Sequence, residues 1–157
     1  VRIKSRYPGK MEYFEDIVTG IEVEIGGHTP SKDEIISFAR QWDPQPFHLD
    51  EEAGRQSLMG GLSASSCHTY SISSLIHSRS ENKLKTAAML GLSVKFPHPV
   101  RPDEELTLYQ IYDAKRVSQS RPGYGVVTSR GVLRNPQGED AMVMESNYLV
   151  ERRPGAG

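Results

Sequence analysis

The sequence predicts an α+β fold in which a curved antiparallel sheet wraps one long helix. Three observations lead there. Helical periodicity is confined to the first half of the 157 residues, and strand-like runs fill the second. The last two of those runs are joined by the turn cluster Asn135-Pro136-Gln137-Gly138-Glu139-Asp140. One mid-chain helix has apolar residues all around it, as an enclosed helix does.

The elements follow in order. Residues 1–10 read as a loose basic lead-in and residues 153–157 as a frayed end, flanking one domain over residues 1–157. Ser31-Lys32-Asp33-Glu34 fits a capping box, with Ser31 as N-cap and the Glu34 side chain reaching back to it. Ile35, Phe38, Ala39 and Trp42 then recur at i, i+3, i+4 and i+7, forming one apolar face, and Pro44 ends the helix. A short helix starts near Asp50, whose carboxylate can cap Glu51-Glu52-Ala53. The enclosed helix is expected over residues 62–78. Its serines keep it thin and can return their hydroxyl bonds to its own carbonyls. Gly60-Gly61 permits close backbone approach at its start. Strands are expected at residues 89–96, 105–118, 124–134 and 142–152.

Composition narrows the functional classes. Nineteen Lys and Arg balance twenty Asp and Glu, for a net charge of −1, which gives no reason to expect a nucleic-acid or anionic-membrane partner. The apolar runs are too short to span a bilayer. No charged-then-apolar leader opens the sequence. The single cysteine, Cys67, cannot form an internal disulfide, which points to the cytoplasm, and it is expected as buried apolar filler. His28, His68, His77 and His98 show no paired ligand spacing, so neither a metal nor another cofactor is implied. Arg116, Arg121 and Arg130 read as a solvated strand face, with contact to the phosphates of a bound molecule as the alternative.

The segment Asp43-Pro44-Gln45-Pro46-Phe47-His48, followed by Leu49-Asp50, carries the chemistry. A carboxylate and an imidazole stand five residues apart, a combination suited to moving a proton at neutral pH. Two prolines stiffen the segment and are expected to keep it out of a helix. The bland alternative makes Asp43 a helix cap and His48 a satisfied loop histidine.

These residues resemble the MaoC-type dehydratases, the group that contains the (R)-specific enoyl-CoA hydratases. The segment from Asp43 to His48 resembles the family motif Asp-x-Asn-Pro-x-His. Tyr13-Phe14-Glu15-Asp16-Ile17 with Gly20 resembles its opening strand. Gly60-Gly61-Leu62-Ser63-Ala64-Ser65 resembles the entry to its central helix. Val94-Lys95-Phe96 with Pro99-Val100-Arg101-Pro102-Asp103 resembles its later strand and turn. The resemblance implies a hot-dog fold, a homodimer, Asp43 and His48 as the catalytic pair, and an acyl thioester substrate on coenzyme A.

Two positions depart from the family pattern. Its asparagine is Gln45 here. Counting without gaps from His48, Ser66 takes the place of a glycine whose N–H faces the thioester carbonyl. Continuing that count, Ser74 falls where some hydratases carry an active-site serine. Eight residues of helix rise about 12 Å, so Ser66 and Ser74 cannot serve the same atom.

Hydration of a 2-enoyl thioester needs a base for the water, a proton for the α-carbon and stabilisation of the enolate oxygen. Asp43 and His48 suit the first two. The third is expected from helix N-terminal N–H groups near Gly60, Gly61 and Ser66. Two other activities fit the same fold: a thioesterase, and a non-catalytic acyl-CoA-binding module. Enoyl-CoA turnover and free coenzyme A release separate the three.

Overall fold

The computed structural model describes residues 9–156. The lead-in at residues 1–8 lies outside the described residues. Five strands make up the sheet: β1 (Glu22–His28), β2 (Thr86–Lys95), β3 (Leu106–Val117), β4 (Tyr124–Arg134) and β5 (Asp140–Glu151). Their order is β1-β3-β4-β5-β2, with every neighbouring pair antiparallel. Four helices precede β2: α1 (Lys32–Trp42), α2 (Pro46–Leu49), α3 (Glu51–Gln56) and α4 (Ser66–Arg79).

The expected strands are all present, with β4 matching at both ends. On β3, Leu106, Leu108, Gln110 and Tyr112 are buried while Thr107, Tyr109 and Ile111 are half-buried, so both faces of this strand are covered in part. Register shifts at Glu24/Gly26, Tyr112/Ala114 and Met89/Gly91 are bulges, which bend a sheet and increase its twist. The bent sheet covers one face of α4; the other face, with Cys67, Ser71, Ser74 and Ser78, is exposed, so the helix is less enclosed than its all-round apolar residues suggested. Ile72 and Ile76 of α4 join Leu106, Leu108, Leu133, Met142 and Met144 in one core cluster, together with Ile35 of α1.

The opening strand is not at Tyr13–Ile17. Phe14–Asp16 forms a 3₁₀ turn, because the Asp16 carboxylate accepts the N–H groups of Glu12 and Tyr13 and tightens the chain. Gly20 has a φ of +79°, and β1 begins only after it. The expected frayed end is also partly tied down. Arg153 donates its backbone N–H to Glu15 at 2.8 Å and pairs its guanidinium with Asp16.

The first helix starts at Ser31, whose Oγ accepts the N–H of Glu34 at 3.1 Å. Ile35 and Ala39 are fully buried, but Trp42 is 66% exposed, because the helix ends there and its last turn projects past the core. Glu34 does not reach back to complete a capping box. Its carboxylate accepts His28 Nε2–H at 2.9 Å and His68 Nε2–H at 3.0 Å, joining the end of β1 and the first turn of α4 to α1. The His68 ring stacks on Phe38 at 4.5 Å, and its Nδ1 is buried without a partner.

This cluster gives the fold an acid-sensitive joint. Burial alone would raise the Glu34 carboxyl, but the two imidazole donors outweigh it and hold the group below the usual carboxylate range. Burial pushes the His68 imidazole down, against the pull of Glu34. Both folded-state pKa values lie below their unfolded ones, so the folded protein binds fewer protons in each window and stability falls as pH falls. The His68 contribution is lost first, below about pH 6.5, and the Glu34 contribution below about pH 4.3. Glu34→Gln is therefore expected to lower Tm at pH 7, with the gap to wild type closing as pH drops through the Glu34 range. Thermal melts of both proteins from pH 7 to about pH 3 check this, and a gap that stays constant through that range would contradict it.

Candidate functional site

Asp43 is the C-cap residue of α1 and His48 lies in α2. Contrary to the expectation from two prolines, Pro46–Leu49 is a helical turn. Pro46 occupies its first position, where the missing N–H has no helical partner to lose. Pro44 still separates this turn from α1, and the resulting corner brings the two side chains together. His48 Nε2 lies 3.6 Å from Asp43 Oδ2. That is longer than a good hydrogen bond and short enough for one water to touch both atoms.

Each partner is held from behind. His48 is buried, and its Nδ1 lies 2.6 Å from the carbonyl oxygen of Ser63. A carbonyl only accepts, so Nδ1 carries a hydrogen, and in the neutral imidazole Nε2 holds the lone pair, toward Asp43. The Phe47 ring meets the imidazole edge-on at 4.5 Å. Gln45 Nε2 donates to Asp43 Oδ1 at 2.9 Å, leaving Oδ2 for the side facing His48. The residue that replaces the family asparagine thus orients the carboxylate.

The helix N-terminus lies later than the sequence suggested. Residues 62–65 are not helical, and α4 starts at Ser66 because Ser65 is its N-cap, accepting the N–H of His68 at 3.1 Å. The Thr69 N–H goes to the Ser65 carbonyl at 2.9 Å. Ser66 and Cys67 are then the first two helical positions, whose N–H groups have no intrahelical acceptor. Both residues are exposed. Cys67 is therefore not buried filler: it lies on the exposed face of α4 with Ser71, Ser74 and Ser78, while His68 and Thr69 of the same turn are buried. Ser66 lies three residues after Ser63, so its Cα is within roughly 11 Å of the Ser63 Cα.

Gly61 belongs to the loop before this turn, not to the helix terminus. A Cβ there would sit 2.9 Å from the guanidinium of Arg101. Arg101 donates to the carbonyls of Met59 and Leu62, clamping the loop, and the Ala64 N–H bonds the Val100 carbonyl at 2.9 Å. Ser74 lies two turns along α4, exposed at the rim of a cavity of about 360 Å³ between the helix and the sheet. The structure thus brings Asp43 and His48 together and ties His48 to Ser63, three residues before α4, with Gly61 in the supporting loop and Ser74 apart. Among the arginines weighed for coenzyme A, Arg130 is engaged by Asp113 through two bonds of 2.9 Å, while Arg116 and Arg121 are solvent-exposed.

Three residues that hold the site escaped the sequence reading. Ser63 acts through a backbone carbonyl, which no side-chain pattern reveals. Arg101 stood in a segment noted only for its resemblance. Gly54, inside α3, did leave a signal, since a lone glycine within a helical run often marks close packing. A Cβ on Gly54 would lie 2.5 Å from the backbone of Gly61 and Leu62.

A fold of this kind with an Asp/His pair beside a helix terminus defines a class. Residues 15–130 match the MaoC-like domain family model, so the chain belongs to that family, and its fold is the hot dog. It is 36% identical to a MaoC-like dehydratase from Rhodospirillum rubrum, with a TM-score of 0.84 over 90% of this chain and 98% of that one. An uncharacterised protein of Bacillus subtilis, YdeM, is 34% identical over 126 residues, covering 78% of this chain and 86% of the relative. An (R)-hydratase from Pseudomonas aeruginosa, at 16% identity, shares the fold with a TM-score of 0.69 over 90% of this chain and 86% of the other. The family places the protein generally among hydratases and dehydratases. No helix of the described residues is long and apolar enough to cross a membrane.

Because α3 touches the loop at Gly54, that position controls the site from a distance. Gly54→Ala is expected to cost about 1–3 kcal/mol by overpacking, lowering Tm by several degrees. Gly123→Ala, whose added carbon meets open space, should change Tm little. Parallel calorimetry of the two variants checks this, and equal melting temperatures would rule it out.

Proposed function

We propose that the protein is an acyl-CoA hydratase or dehydratase, moving water across the double bond of a 2-enoyl thioester. The observation that carries this reading is the 3.6 Å gap between Asp43 Oδ2 and His48 Nε2, with the far side of each group tied by Gln45 and Ser63. The pair holds one water. Its oxygen bonds to the β-carbon as a proton passes to the pair, and the π electrons move onto the thioester oxygen. The N–H groups at the start of α4, at Ser66 and Cys67, stabilise the charge there, where the helix dipole is positive. A proton from the pair then reaches the α-carbon, and the thioester carbonyl re-forms. Every atom of the water ends in the 3-hydroxyacyl product, with no other reactant required. Water delivered from one side places H and OH on one face. In the reverse direction the same groups eliminate water.

Asp43→Asn and His48→Ala are each expected to lower kcat for enoyl-CoA hydration by roughly 10²–10⁴, the usual loss of a positioned acid or base. The double variant should be little worse than either single one, because one water is shared. Loss of enoyl absorbance measures the rate. Near-normal turnover in either single variant would overturn the assignment, and release of free coenzyme A without hydration would indicate a hydrolase.

Assembly into a homodimer fits the same reading. β2 is an edge strand that exposes Met89, Leu90 and Leu92, each more than 40% accessible, and unpaired apolar edges favour strand pairing with another chain. We infer a two-fold dimer closed along this strand. Light scattering at micromolar concentration should give twice the chain mass, and Leu92→Lys should shift it toward the single chain. A wild-type protein that runs as a monomer would refute the pairing.

A further inference from the structure

The cavity between α4 and the sheet stands apart from the catalytic pair, since neither Asp43 nor His48 lines it. Its volume is about 360 Å³, within the range of small-molecule sites. Leu84, Met89, Tyr112, Met144 and Tyr148 give it a largely apolar wall. The polar groups among them serve one another. His77 is hydrogen-bonded to the side chain of Gln110. Ser73 Oγ–H donates to the Tyr70 carbonyl at 2.6 Å, and Ser146 Oγ pairs with Ser129 Oγ at 3.0 Å. The Tyr148 hydroxyl is bonded to Ser129 and Tyr112. Burial pushes the His77 imidazole below its ordinary range, so at neutral pH it adds no charge to the interior. A hydrocarbon lying here breaks none of these bonds and gains by leaving water.

Charge is confined to the rim. Among the described residues that line the cavity, Lys83 is the one permanently charged group, and it is exposed. Lys83 also borders a neighbouring surface cleft, which adds Lys10 and Arg79. None of these three cations is ion-paired to a described residue. The acids of the cleft are Glu12, which is engaged by Lys85 at 3.2 Å, and Glu81. Positive charge therefore prevails where the cavity meets the cleft. A space that is apolar within and cationic at its rim fits a ligand built the same way round, with a hydrocarbon tail and an anionic head.

We propose that this cavity binds an aliphatic carboxylate, with its hydrocarbon chain between α4 and the sheet and its carboxylate at the rim against Lys83. Arg79 and Lys10 add positive potential beside it. Two sources present this chemistry: a free fatty acid, and the remote carboxylate of an acyl chain carried as a thioester. Only the second rests on the acyl-CoA reading of the Asp43/His48 site.

The test is calorimetric titration of the intact protein at low ionic strength with octanoate, octanol and acetate. Octanoate should bind, and acetate, which has the head without the tail, should not. Lys83→Glu is expected to weaken octanoate by at least about 5-fold, because attraction at an exposed pair becomes repulsion, and to leave octanol nearly unchanged. Added salt should weaken octanoate alone. Lys83 is exposed, so the variant should melt with the wild type. No binding of octanoate overturns the site. So does octanoate binding that Lys83→Glu leaves unchanged, or equal weakening of octanol. Dodecanedioyl-CoA and lauroyl-CoA then separate the two sources. A preference for the carboxylate-ended thioester that Lys83→Glu abolishes assigns the carboxylate to the acyl chain, and absence of such a preference assigns the site to a free fatty acid. Hydration of crotonyl-CoA, whose short chain carries no second carboxylate, reports on the catalytic reading separately. Failure of that turnover would sink the acyl-CoA reading and leave octanoate binding to decide the site.

Discussion

The Ser63 carbonyl accepts the Nδ1 hydrogen of His48 across fifteen residues of sequence, and the arrangement of the site depends on that bond. It fixes the tautomer, so the lone pair of Nε2 points at Asp43. It also ties the α2 turn to the extended lead-in of α4, which sets the distance between the Asp/His pair and the helix terminus. The surrounding contacts hold Ser63 in place. Arg101 clamps the loop through two carbonyls, Ala64 bonds Val100, and Gly54 lets α3 press directly onto Gly61 and Leu62. Loops carry function when a rigid scaffold positions them, and here the scaffold combines side-chain bonds from His48 and Arg101, the Ala64–Val100 backbone bond and the packing of α3.

Helix α4 serves three roles along its length, and its composition suits them. At its start, Ser66 and Cys67 are exposed and their N–H groups have no intrahelical acceptor. On its inner face Ile72 and Ile76 fill the core, and buried Ser73 lets the sheet approach. The hydroxyls of Thr69, Ser71, Ser73 and Ser78 return to carbonyls of the helix itself, so most of its polar groups add no unpaired donor to the interior. His68 is held through Nε2 by the Glu34 carboxylate, and His77 by the side chain of Gln110 from β3.

Much of the architecture was legible from residue pattern. β4 was placed to the residue, α1 began at its Ser31 cap, and α3 was capped by Asp50, whose Oδ1 accepts the Ala53 N–H at 2.8 Å. The misses share a cause. Glu34 satisfied the local capping rule, yet His28 and His68 offered it better donors from distant segments. Trp42 continued the apolar periodicity but lies beyond the end of the core it would have faced. Cys67 followed its usual burial preference on paper, while the packing of α4 turned its side of the helix outward.

What the sequence determined by itself was local: where helices are capped and broken, which runs alternate as strands, and that a carboxylate and an imidazole share a short proline-stiffened segment. Those properties depend on bonds within a few residues, so a single chain read in order reveals them. The tertiary structure alone decided which atom of His48 faces Asp43, that α4 begins at Ser66, and that Gln110 and His77 meet under that helix. Each of those depends on a contact between residues far apart in sequence, such as Ser63 with His48 or β3 with α4. Such contacts exist only once the bent sheet has closed around the helix and brought the segments within hydrogen-bonding distance.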